Sequence, residues 1–163
     1  AMPTEIRPMN AGTLVVIGIG TIALLMAGGA WVWNYLRTDQ SMAFYGSEAA
    51  YAIRTAEDAK LSELDDAGAA STTISLAKTP GMQHARHSLL SDASYAWENP
   101  TTGGKFQYAV IFTRDGQSVT LKIDPENRLI RYDEANKQVA ITEKSATGWK
   151  DFATRKLAEV EPR

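Results

Sequence analysis

The 163-residue chain has no cysteine, only two histidines, and no excess of either charge. Without cysteine there are no disulfides, no thiolate metal sites and no sulfur nucleophile. Seventeen Lys and Arg face nineteen Asp and Glu, a formal net charge of −2. That balance creates no basic field for a nucleic acid and no acidic tail for a basic partner. With His84 and His87 as the only imidazoles, histidine-based metal centres are confined to "HARH". Three residues apart on a helix, the two share a face, but two ligands make no dedicated site and no carboxylate cluster supplies the rest.

A third absence is local. From Ala11 to Trp33, "AGTLVVIGIGTIALLMAGGAWVW", 23 consecutive residues carry no charge. As a helix this run is roughly 34 Å long, enough to cross a hydrocarbon core of about 30 Å. A cleavable export signal has a shorter apolar stretch, about 7–15 residues, behind a clearly basic segment. Here only Arg7 precedes the run, partly offset by Glu5. The run therefore reads as a retained transmembrane helix over residues 11–36, after a short tail of residues 1–10. Trp31, Trp33, Tyr35 and Arg37 have the character of interface anchors at its far end.

The span contains no Asp, Glu, His, Lys or Arg. Proton paths, ion sites and imidazole-ligated pigments need such groups at depth. No catalytic or cofactor role is therefore expected of the helix. It does carry small residues on one side: Gly12, Gly20, Ala23, Ala27 and Ala30 fall within an arc of about 80° at 100° per residue. Small faces of this kind let membrane helices approach closely, so the expectation is docking against other membrane subunits. With a short tail before the span and a larger region after it, the tail is expected in the cytoplasm. The C-terminal domain is then periplasmic, in a bacterial inner membrane.

Beyond the span the pattern predicts an α+β fold of helices packed on a small antiparallel meander. A juxtamembrane helix is expected over Ser41 to Leu64, on the spacing of Tyr45, Ala49, Ala52, Ile53 and Ala56, with Gly68 as its stop. A linker, "ASTTISLAK", completes residues 37–78, and the α+β domain is expected over residues 79–163. Thr79 and Pro80 suit the start of a second helix running to about Tyr95. The period then changes. "KFQYAVIFT", "SVTLKI", "RLIRY" and "QVAITE" alternate or run apolar, separated by Asp115-Gly116 and two further polar turns. A last helix from a Thr147 cap places Trp149, Phe152, Ala153, Leu157 and Val160 on one face.

Other motifs carry little chemistry. His87, Ser88, Ser91 and Asp92 lie too close along one helix to form a convergent nucleophile–base–orienter set. Asp65-Asp66 and the acidic stretch Glu57 to Glu63 read as a solvated helix face without calcium-loop spacing. "TGGK", Thr102 to Lys105, lacks the upstream Gly and the following helix of a phosphate loop. Trp97 and Trp149 read as core or partner-contact residues. No catalytic residue, cofactor or metal is expected.

The expectation is a non-catalytic, single-span accessory subunit bracing a larger membrane complex, with an energy-transducing photosynthetic or respiratory assembly as host. The alternative is a tethered component of a secretion, pilus-like or envelope-assembly machine. Against a pilin, no basic leader ends in Gly before the span, and no acidic residue lies near its start.

Overall fold

The computed structural model describes residues 10–77, 79–99 and 101–159, apart from the side chain of Asn34. The tail expected over residues 1–10 therefore falls outside the described residues except for Asn10, and Val160 also falls outside. The chain divides into two compact units, one ending at Leu36 and one beginning at Arg37.

The first unit is helix α1 (Ala11–Leu36), long and apolar enough to cross a membrane. Asn10 starts it: its side-chain oxygen accepts from the Thr13 N–H at 2.8 Å and the Thr13 hydroxyl at 2.6 Å. This satisfies one of the donors that every helix N-terminus leaves open. Within the apolar run the Thr21 hydroxyl donates back to the Ile17 carbonyl at 2.9 Å. The helix thus meets the hydrogen-bonding need of this hydroxyl internally.

The second unit is α+β. Its elements are α2 (Asp39–Tyr45), α3 (Ser47–Thr55), β1 (Asp58–Leu64), β2 (Ala70–Ser75), α4 (Met82–Leu89), a 3-10 turn (Asp92–Ser94), β3 (Tyr108–Arg114), β4 (Gln117–Asp124), β5 (Leu129–Tyr132), β6 (Lys137–Ala140) and α5 (Glu143–Ala158). The six strands form one antiparallel sheet in the order β2-β1-β3-β4-β5-β6.

The register explains the core. Leu61, Val110 and Leu121 lie opposite one another across β1, β3 and β4, and Ala59, Phe112 and Val119 form the next row. Because side chains alternate between sheet faces, both rows point the same way. All six are buried with Ile53, Leu89, Trp149 and Phe152 from the helices. The neighbouring row, Ser62, Ala109, Lys122 and Arg131, belongs to the other face. There a strap covers part of the sheet. The Gln138 side-chain amide donates to the Gly103 carbonyl at 3.0 Å, and a Cβ on Gly104 would lie 3.2 Å from Phe106 and 3.3 Å from Leu129. Buried Asp124 fixes the strap, accepting from the Lys105 N–H at 2.7 Å and from the Asn127 side chain at 2.7 Å.

Several expectations need correction. The single helix over Ser41 to Leu64 is not formed. Gly46, at φ 81 and ψ 161, separates α2 from α3, and residues 58–64 are strand β1. That backbone conformation is open essentially to glycine alone. The linker "ASTTISLAK" supplies β2, so the sheet has six strands where four were expected, and it begins well before residue 79. The second helix is shorter and starts from Gly81 in the left-handed conformation, without a side-chain cap from Thr79. The last helix begins earlier: Thr142 caps it by accepting from the Ser145 N–H, and Thr147 lies inside it.

Candidate functional site

Two surfaces stand out, one in each unit. Along α1 the described side chains are exposed within the chain, from Leu14 to Leu36. Among the described residues, nothing lies within 4 Å of a Cβ built on Gly20, while one on Gly12 would meet only the Asn10 side chain. With Ala23, Ala27 and Ala30 these positions form an open, shallow face on an apolar helix. Trp31 and Tyr35, one helical turn apart, stack with ring centroids 6.0 Å apart, and both are exposed, as is Trp33.

Arg37 begins the second unit, and its carbonyl accepts from the Asp92 N–H at 2.8 Å. Asp92 in turn holds the start of α2, accepting from the N–H of Gln40 at 3.0 Å and of Ser41 at 2.7 Å. Below this clasp sits an aromatic group. The Tyr45 and Tyr95 hydroxyls are 2.7 Å apart, and Tyr95 donates to the Leu89 carbonyl at 2.5 Å. Tyr95 thus donates to Leu89 and accepts from Tyr45, which leaves neither buried hydroxyl unsatisfied. Burial holds both phenols well above the ordinary tyrosine range, since neither has water to solvate a phenolate. Trp97 packs on Tyr95 at 4.6 Å between ring centroids, and its indole N–H donates to the Asp92 carbonyl at 3.3 Å.

The second surface is a groove of about 480 Å³ between α4 and α5. On α4 and its N-cap, Gly81, His84, Ala85 and Ser88 line it; on α5, Ser145, Gly148, Trp149 and Phe152 do. Each set recurs at three- and four-residue steps, so one face of each helix looks into the same space. Buried Trp149 and Phe152 form its floor, edge to face with centroids 5.9 Å apart. Lys144, Asp151 and Arg155 stand on the α5 rim, exposed and without ion-pair partners among the described residues. The wall hydroxyls satisfy one another: Ser88 with Ser94 at 3.1 Å, and Thr142 with Ser145 at 3.0 Å.

The structure separates the remaining candidates. His84 faces the groove, and His87 is exposed; among the described residues no three His, Asp or Glu side chains gather where they could hold a metal ion. The Asp92 carboxylate is occupied by the α2 backbone and Ser88 by Ser94, so the His87–Ser88–Ser91–Asp92 fragment does not converge. Asp65 folds the β1–β2 turn by accepting from the N–H groups of Ala67 and Ala69. Asp66 pairs with Lys105 at 2.7 Å, which lowers the carboxyl's pKa and raises the amine's. The acidic segment is therefore a strand and a turn, and no helix face. Trp149 belongs to the core and Trp97 is half-buried. Sequence reasoning missed the groove, for which Gly148 inside a helical pattern was the one available signal.

No family model, no curated protein and no solved structure matches this chain.

Proposed function

We propose that this chain is a single-span, non-catalytic accessory subunit that stabilises a larger membrane assembly. The observation that supports this most is α1 itself. It presents 26 residues without a charged group, with its described side chains unburied by the rest of the chain and its small residues collected along one arc. Lipid alone gives no reason to align small residues, whereas a neighbouring helix does, because close backbone approach maximises dispersion contacts. The second unit adds to the case in a positive way. Its polar side chains Asp92, Tyr45, Tyr95 and Asp124 hold backbone segments and one another in place. This supports reading the second unit as a bracing domain.

The host class in this proposal is an energy-transducing complex, photosynthetic or respiratory, where single-span subunits brace contacts without chemistry of their own. The short tail lies in the cytoplasm and the α+β domain in the periplasm of a bacterial inner membrane. Extraction of native membranes in mild detergent tests the proposal. The chain should migrate with other membrane subunits at fixed stoichiometry; recovery as a free monomer or as a filament would refute it.

A further inference from the structure

We propose that the groove between α4 and α5 receives an amphipathic helix of a partner subunit, with acidic residues near both ends of the docked segment. This rests on the reading of the chain as a subunit of a larger assembly, and it names a contact that α1 does not supply.

Four observations carry it. Gly148 sits in the interior of α5, where glycine weakens a helix. Its φ does not demand glycine, and a Cβ there would meet no described residue within 4 Å, so packing among the described residues gives no reason for it. An approaching backbone does: with Ala85 and Ser88 opposite, Gly148 keeps the walls low enough for a second helix to settle over Trp149 and Phe152.

The backbone of the walls selects the occupant's conformation. Both walls are helices, whose mid-segment N–H and C=O groups are already paired. An extended peptide would bury its own backbone groups there without partners, whereas a helix satisfies them internally. The wall hydroxyls are also paired among themselves, so they present contact surface more than open hydrogen-bond demand.

Charge selects its sequence. Lys144 and Arg155 lie on the same rim about 16 Å apart along α5, at 1.5 Å per residue. Asp151 between them is the only carboxylate among the described lining residues. The complementary helix therefore places acids roughly three turns apart, with apolar side chains between them at three- and four-residue steps.

The test uses the full-length chain in native membranes. A photo-crosslinking p-benzoylphenylalanine in place of His84 should join the chain to one segment of a co-purifying subunit, identified by mass spectrometry, with that apolar spacing and flanking acids. Gly148→Leu fills the groove, and it should reduce retention of the chain in the complex by about tenfold, the size expected for loss of a central contact. Its thermal midpoint should be no lower than that of the unaltered chain. Lys144→Glu combined with Arg155→Glu should reduce retention in the same direction. If subunits co-purify but the cross-link goes only to lipid, to a small molecule or to this chain itself, the groove proposal fails alone. Unchanged retention of both variants overturns it too. If no membrane subunit co-purifies with the unaltered chain, this inference and the proposed function fall together.

Discussion

The Asp92 carboxylate caps a helix that begins more than fifty residues earlier, accepting from the Ser41 N–H at 2.7 Å. Its second oxygen takes the Gln40 N–H at 3.0 Å, and its own N–H donates to the Arg37 carbonyl at 2.8 Å. Thr38, at the α2 N-cap position, makes no side-chain capping bond there, so Asp92 performs that task from a distant part of the chain. The segment that directly follows α1 is thereby held to the body of the second unit.

Asp92→Ala should cost about 1 kcal/mol of stability, the usual value of a lost cap. The loss should be concentrated at the start of α2. Hydrogen exchange on the detergent-solubilised chain checks this: amides of Gln40 and Ser41 should lose protection while those of β3 and β4 keep theirs. Uniform loss of protection would show that Asp92 acts on the whole domain.

Buried Tyr45 and Tyr95 make stability fall at alkaline pH. Their folded-state pKa values are raised above the ordinary 10.0 because burial disfavours the phenolate. Below pH 10 the phenols are protonated in folded and unfolded chains alike, and their contribution is fully present. As pH rises beyond that value the unfolded chain ionises first, so stability declines toward the higher folded-state values. Tyr45 and Tyr95 should therefore ionise only as the domain unfolds, which tyrosinate absorbance during a pH titration can follow. Tyr95→Phe should cost about 1–3 kcal/mol, since it strands the buried Tyr45 hydroxyl.

Two glycines should respond oppositely to the same substitution. Gly104→Ala places a Cβ 3.2 Å from Phe106 at φ +139, a conformation that L-residues rarely adopt. The expected cost is about 1–3 kcal/mol, and the strap over the outer sheet face should loosen. Gly148→Ala meets no described neighbour within 4 Å and should stabilise α5 by up to about 1 kcal/mol. Thermal unfolding of the two variants side by side gives both signs.

The elements legible in the sequence were those decided locally. α1 needs only its apolar run, and β3 to β5 announce themselves through alternation and the tight Asp115-Gly116 turn. β1 was hidden because "DAKLSEL" has helix-favouring composition. It becomes a strand by pairing Leu61 with Val110 and Ala59 with Phe112, contacts far away in the chain. Tertiary pairing overrides a weak local preference there. β2 followed it into the sheet, and its Ser/Thr-rich exposed residues gave no apolar alternation. The same distance hid the Asp92 cap and the α4–α5 groove, since each joins segments that periodicity reads separately.

The most direct measurement of the central claim is retention of α1 variants in the native membrane complex. Ala23→Leu or Ala27→Leu adds bulk to the small-residue arc and should lower the stoichiometry of this chain in the purified assembly. Leu25→Phe adds bulk to the opposite side of the same helix and should leave that stoichiometry unchanged. Equal retention of all three variants, or equal loss, would contradict docking through this face.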